Sequence, residues 1–228
     1  MSGAFQYPFD FVVQTELLFN NFFSSPANKP LLHFLQNFAS SNDRLCYLWG
    51  SSGNGKTHLL QALCQSSEQA VYVPLRQMFA YGPHTLDGLE TLDMIVLDDL
   101  QVVAGNLSWE EKLFELFNAV QAYGGRLCFA ANAPLAQLPL QLADLMSRLQ
   151  LCVAYEVVEN DDVAKAAIMR LRAEQRGIEL KDEVMQYIML RNSRNLHDLM
   201  EVLDKLDKLS LAEQRRCTIP FVKEIMHW

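Results

Sequence analysis

No stretch of this 228-residue chain stays apolar for the roughly 20 residues that a membrane-spanning helix needs. A basic segment followed by an apolar one is missing at its start, so neither a signal peptide nor a membrane anchor is expected. Positive charge is short too: 19 Lys and Arg stand against 27 Asp and Glu, a formal net charge of -8. A protein that grips duplex DNA by itself normally carries a basic face to neutralise phosphates. The acidic balance therefore argues against direct sequence-specific DNA binding, but not against a partner that carries the DNA. Only five cysteines occur, Cys46, Cys64, Cys128, Cys152 and Cys217. None has the CxxC or Cys/His spacing of a zinc site. Their odd count and scatter suit a reducing cytosol, so a cytoplasmic protein is expected. Internal repeats and low-complexity tracts are absent as well.

Half of the residues are apolar and 20% are charged. That suffices for one large or two small domains with a real core. The first 24 residues are irregular and rich in aromatics: Phe5, Tyr7, Phe9, Phe11, Phe19, Phe22 and Phe23. Residues 24–30 read as a loop that opens a helix over 31–39. Apolar runs at 45–49, 70–75, 94–97 and 126–131 read as strands, and 56–64 and 109–123 as helices. Continuous apolar strands alternating with helices imply an α/β fold, a parallel sheet covered on both faces. Beyond about residue 159 the strands stop, and 161–176, 181–191, 196–210 and 219–227 read as helices. The expected organisation is an N-terminal arm over 1–24, an α/β domain over 25–158 and an all-α domain over 159–228.

The strongest motif is Gly50-Ser51-Ser52-Gly53-Asn54-Gly55-Lys56-Thr57. It fits the P-loop pattern without a mismatch, with an apolar strand before it and a helix after it. Its glycines let the backbone curl around phosphate oxygens, and the new helix offers unpaired N–H groups. Lys56 is placed for the β- and γ-phosphates, and Thr57 for Mg²⁺. His58 follows among the nucleotide-binding residues, as a helix residue rather than a catalyst. Asp98 and Asp99 end the apolar strand 94–97. Asp98 fits a Mg²⁺ ligand acting through water, and Asp99 could orient an attacking water. A pair of solvated acids at a strand end is the plainer reading, weakened by the complete P-loop upstream. Asn132 ends the next strand. Its amide could bond the γ-phosphate or the water, or it could simply begin a turn.

Together these features resemble an AAA+ nucleotide-binding domain followed by its helical lid. More narrowly, Val96-Leu97-Asp98-Asp99-Leu100-Gln101 and the closing Thr218-Ile219-Pro220-Phe221-Val222-Lys223-Glu224-Ile225 are similar to the DnaA/Hda family. The likeness spans nearly the whole chain and leans to the shorter, Hda branch. That resemblance implies ADP or ATP with Mg²⁺ as cofactor. It implies DnaA and the sliding clamp, the β subunit of DNA polymerase III, as partners. The implied role is a regulator of replication initiation that stimulates ATP hydrolysis by DnaA when the clamp is loaded on DNA.

Three site assignments follow from the resemblance. Arg148, in Asp144-Leu145-Met146-Ser147-Arg148-Leu149, matches the family's arginine finger, which faces a neighbour's nucleotide. A guanidinium fork suits the charge that builds on a transferred phosphoryl group. The plainer reading is an exposed charge after a helical segment. Arg194, in Asn192-Ser193-Arg194-Asn195-Leu196, matches the sensor 2 arginine that reaches bound phosphates from the lid; the plainer reading is an exposed charge near a helix start. Gln6, Phe9 and Phe11, in Gln6-Tyr7-Pro8-Phe9-Asp10-Phe11, match a short clamp-binding peptide that works in extended form. Aromatics stand here where leucines are usual, and the plainer reading is an N-terminal arm packed on its own domain. Phe19, Phe22 and Phe23 are placed either against the base or in the core, while Trp49, Trp109 and Trp228 read as packing residues.

Two further function classes stay open at this level. Lys56, Asp98, Asp99 and Asn132 would also serve a helicase-loader-type ATPase with turnover of its own. A degenerate P-loop scaffold is the third, opposed by intact Lys56 and Thr57. No basic DNA-reading domain is expected beyond the lid, so a full initiator is not expected either. A finger acting in trans implies a neighbour, either DnaA or another copy of the chain.

Overall fold

The computed structural model describes residues 17–192 and 196–228. Strands β1 (Leu45–Trp49), β2 (Ala70–Pro74), β3 (Met94–Asp98), β4 (Arg126–Ala131) and β5 (Val153–Glu156) form one sheet. All pairings are parallel, in the order β2-β3-β4-β1-β5. Parallel strands need crossovers, and helices supply them. Helices α1 (Lys29–Asn37) and α2 (Lys56–Cys64) pack on one face. On the other lie α3 (Leu75–Met78), α4 (Leu107–Tyr123) and α5 (Ala143–Leu149).

The continuous apolar strands follow from this double cover. In β3, Met94 and Val96 face α1 and α2, where Leu35, Leu59, Leu60 and Leu63 pack. Ile95 and Leu97 face the other way, against Leu113, Phe117 and Val120 of α4. The cysteines Cys46 and Cys128 are packing residues of the first face, as their apolar strands imply. The register that pairs Val96 with Cys128 and Cys46 with Val153 brings the C-terminal ends of β1, β3 and β4 to one edge. In open α/β sheets, ligands bind at that edge.

The chain then leaves the sheet for α6 (Asp162–Gln175), α7 (Asp182–Arg191), α8 (Leu196–Glu213) and α9 (Ile219–Met226). These helices own a separate core, with Met169, Ile188, Leu199, Leu203 and Phe221 at its centre. Asp161 caps α6 by accepting the Ala164 N–H at 2.7 Å. No described helix is long and apolar enough to cross a membrane.

Several boundaries differ from the sequence reading. Leu75 leaves the strand and starts α3, with Pro74 in the N-cap position. Helix α4 begins two residues earlier than expected, because the Asn106 side chain accepts the Trp109 N–H and caps it. Strand β5 is an addition. It lies at the sheet edge, where alternate side chains are exposed, so no apolar run marks it.

Candidate nucleotide site

The P-loop lies between β1 and α2 at the C-terminal edge of the sheet. Gly50 has φ 154° and Gly55 has φ 91°. A Cβ on Gly50 would sit 2.6 Å from the Val157 carbonyl oxygen, and one on Gly55 2.9 Å from the Phe22 ring. Both glycines are thus required by neighbours as well as by backbone geometry. Gly55 occupies the N-cap position of α2 and no side chain caps the helix. Its first N–H groups remain available to an anion.

Lys56 curls back over the loop. Its Nζ donates to the Gly50 carbonyl at 2.7 Å and to the Ser51 carbonyl at 2.8 Å. Burial lowers its pKa, while Asp98 and Asp99 pull the other way. Ser52 stands exposed on the rim. Asn54 is buried, and its Nδ2 donates to the Val157 carbonyl at 2.9 Å.

Asp98 meets this loop at the end of β3. Its Oδ2 accepts the Thr57 hydroxyl at 2.6 Å and the Tyr72 hydroxyl at 2.9 Å, and its Oδ1 accepts the Asp99 N–H at 2.9 Å. Burial raises its pKa, against those three hydrogen bonds. A hydroxyl beside a carboxylate is the hard oxygen set that suits Mg²⁺. Among the described residues no group of three His, Cys, Asp or Glu could hold a metal. The donors therefore fit a cation shared with phosphate oxygens, held by Thr57 and Asp98. Such an ion, held by Thr57 and Asp98, would supply positive charge beside a bound phosphate chain.

Asp99 is in the left-handed region at φ 61°, a conformation Asp tolerates and one that gathers at functional sites. Its Oδ2 pairs with Arg76 Nε at 3.0 Å, and its Oδ1 accepts Gln101 Nε2 at 2.6 Å. Gln101 Oε1 in turn accepts the Asn132 N–H at 3.1 Å. One glutamine thus links both strand-end residues singled out in the sequence. Arg76 is 64% exposed, so its pair contributes only about 0.2–1 kcal/mol.

His58 joins three parts of the molecule. Its Nδ1 is 3.0 Å from an Arg172 nitrogen on α6, and its Nε2 is 2.8 Å from the Leu18 carbonyl. Phe22 meets its ring edge-on, with centroids 5.3 Å apart. Burial first, then the charge of Arg172, lowers the imidazole to about 4. Arg172 only donates, so Nδ1 must accept and Nε2 must carry the proton given to Leu18. Phe19 and Phe22 pack against the face that holds α1 and α2.

Arg148 lies inside the last turn of α5, not after a helix as the sequence suggested. It is half-buried. Its side chain enters no hydrogen bond or ion pair among the described residues. Arg194, Gln6, Phe9 and Phe11 lie outside the described residues. Sequence reading missed Tyr72, Arg76, Gln101 and Arg172. Gln101 lies in the 96–101 stretch without a role having been assigned to it, while Tyr72, Arg76 and Arg172 belong to no local motif and reach the site only through folding.

The model of the Hda lid domain matches residues 162–226, the four helices with their own core. An uncharacterised protein of Haemophilus influenzae is 38% identical over 186 residues, covering 79% of this chain and 80% of its own. Domain III of the replication initiator DnaA from Thermotoga maritima superposes with a TM-score of 0.77. It is 21% identical, over 93% of this chain and 96% of that one. The chain belongs to the Hda/DnaA-related family of AAA+ proteins. A second neighbour, AMPPCP-bound DnaA from Aquifex aeolicus, has a TM-score of 0.72 at 20% identity, over 89% of this chain and 68% of that one. At those identities the two DnaA structures speak for the fold. The P-loop, the acids Asp98 and Asp99 at the end of β3, and the helical lid are all present in this chain.

Proposed function

We propose that this AAA+ protein binds an adenine nucleotide with Mg²⁺, ADP being the resident form. With the DNA-loaded sliding clamp it stimulates ATP hydrolysis by DnaA, as a cytoplasmic negative regulator of replication initiation. Arg148 acts in trans on the phosphates held by DnaA, and the chain's own nucleotide sets the arrangement of α/β domain and lid. Gln6, Phe9 and Phe11 dock on the clamp, and Arg194 reaches the bound phosphates from the lid.

The observation that carries this reading is Arg148. It is an arginine at the end of a short helix in an Hda/DnaA-related chain, with no side-chain partner among the described residues. A guanidinium kept free in this way suits a charge that arrives only with a second molecule. Support for the nucleotide comes from the P-loop geometry and from a DnaA neighbour that holds AMPPCP.

The test is hydrolysis of DnaA-bound ATP in the presence of this protein, clamp and DNA. Arg148→Ala should keep nucleotide binding and cut the stimulation by roughly 10³-fold or more, the scale of an arginine finger. Stimulation at the unaltered level would sink the assignment.

A second reading is a helicase-loader-type ATPase. The linked Asp99, Gln101 and Asn132 favour it, because they join both γ-phosphate candidates into one network. Robust steady-state turnover by the purified chain, without DnaA, would decide for this reading.

A further inference from the structure

Glu110 is the most deeply buried acid among the described residues, at 0% exposure. It sits in the first turn of α4. No ion pair engages it among the described residues. Its partners are all backbone donors. Oε1 accepts the Gly105 N–H at 2.6 Å, and Oε2 accepts the N–H groups of Gln141 at 2.9 Å and Leu142 at 2.7 Å. Both oxygens act only as acceptors, which suits a carboxylate and not an amide. A buried charge is retained at a cost, so its partners indicate its purpose.

Two of those partners, Gln141 and Leu142, lie at the entry to α5. Leu142 occupies the N-cap position, and α5 has no side-chain cap of its own. The Gln141 side chain strengthens the tie, donating from Nε2 to the Gly105 carbonyl at 2.8 Å. Leu145 and Leu149 then seat the inner face of α5 against the α4 side of the core. A two-turn helix pinned at its start and along one face has little freedom to roll or slide. Arg148 is six residues past Leu142, about 9 Å along the axis. A shift at the entry is therefore carried to the Arg148 backbone, from which the guanidinium extends.

We infer that Glu110 is the positioning residue for Arg148. Its carboxylate fixes the entry of α5 so that the base of the Arg148 side chain is aimed before the partner's nucleotide arrives. This rests on the reading of Arg148 as a finger. Misplacing a transition-state contact by about 1 Å can cost on the order of 10²-fold. The residue thus acts on the rate in the partner's site while touching neither nucleotide.

Glu110→Gln keeps the shape but points an amide N–H₂ at backbone N–H donors. The full chain would be assayed with DnaA, clamp and DNA, reading the maximal stimulated rate and the protein concentration giving half of it. The expected result is a maximal rate about 10- to 100-fold lower, with half-saturation and ADP binding unchanged. A role in stability alone would scale the amount of active protein and leave the maximal rate per folded molecule intact. If E110Q does not fold, Gln141→Ala carries the test, since it removes only the exposed side-chain tie to Gly105. A several-fold loss of maximal rate is then expected. Arg148→Ala runs beside both. If R148A fails to lower stimulation, the finger reading falls. If R148A abolishes stimulation while E110Q, or Q141A in its place, matches the unaltered protein, the finger stands and the positioning role is overturned.

Discussion

Asp98 carries two opposed demands on one carboxyl group. It is 4% exposed, and burial holds its pKa above the ordinary carboxylate value despite the Thr57 and Tyr72 hydroxyls. A group whose folded-state pKa is raised stabilises the fold below its unfolded pKa. That contribution is lost as pH rises through the folded value. Above that folded value the ionised Asp98 is a cost to the empty protein, which a cation beside Thr57 would offset. Asp98→Asn removes the charge. Its amide still donates to hydroxyl oxygens, while Oδ1 accepts the Asp99 N–H. Melting curves at pH 7 should show D98N at least as stable as the unaltered protein without ligand, by up to a few °C. The extra stabilisation that Mg²⁺ adds to nucleotide should disappear in it. A destabilised D98N that still responds to Mg²⁺ would refute this account. The same group shows which residues a sequence can reveal. Lys56, Thr57 and Asp98 declare themselves through fixed spacing and a strand end. Tyr72 reaches Asp98 from 26 residues away, and nothing local marks it; Gln101 joins Asp99 to Asn132, 31 residues on, a link that its own stretch of sequence does not reveal.

Elements were legible to the degree that burial imposes a pattern on them. Strands β1, β3 and β4 are covered on both faces, so their apolar runs stood out. Strand β5, half-exposed at the sheet edge, carried no such run. Helix α5 was short enough to leave Arg148 apparently beyond its end. What no pattern could show is how elements meet, and His58 is the clearest case. It ties α2 to α6 through Arg172 and to the segment before α1 through Leu18. Its folded pKa of about 4 lies below the ordinary 6.5. Here the sign is opposite to that of Asp98. Stability is fully present above about 6.5 and is lost as pH falls toward about 4, because the unfolded chain takes up the proton first. The loss is on the order of 3 kcal/mol for the whole window. Denaturant unfolding at pH 7 and at pH 4.5 should therefore show a larger acid loss for the unaltered protein than for His58→Gln. Equal losses would mean that His58 is not the neutral joint described.

At the scale of the molecule, two cores must act together if nucleotide is to set the lid. The sheet and the lid pack separately, so coupling depends on the few residues where the chain crosses. That crossing is clasped twice. Asn54 of the P-loop donates to the Val157 carbonyl at 2.9 Å. Asn28, fully buried before α1, bonds Val158 in both directions: Nδ2 to its carbonyl at 3.0 Å, and its N–H to Oδ1 at 2.9 Å. Val157 is also the neighbour that forbids a side chain at Gly50. A change in loop conformation on binding phosphate would thereby be passed to the first residues leading into α6. Asn28→Ala tests this without touching the P-loop. Leaving the Val158 groups unpaired should cost about 1–3 kcal/mol of stability. More tellingly, ADP with Mg²⁺ should slow amide exchange in α6–α9 of the unaltered protein, and this slowing should shrink in N28A while ADP affinity stays within a few-fold. Asn28→Asp keeps the Oδ1 acceptor for the Val158 N–H, so it should fall between the two. Lid protection that responds fully to ADP in N28A would show that the signal travels another way, with the His58–Arg172 bond as the remaining bridge.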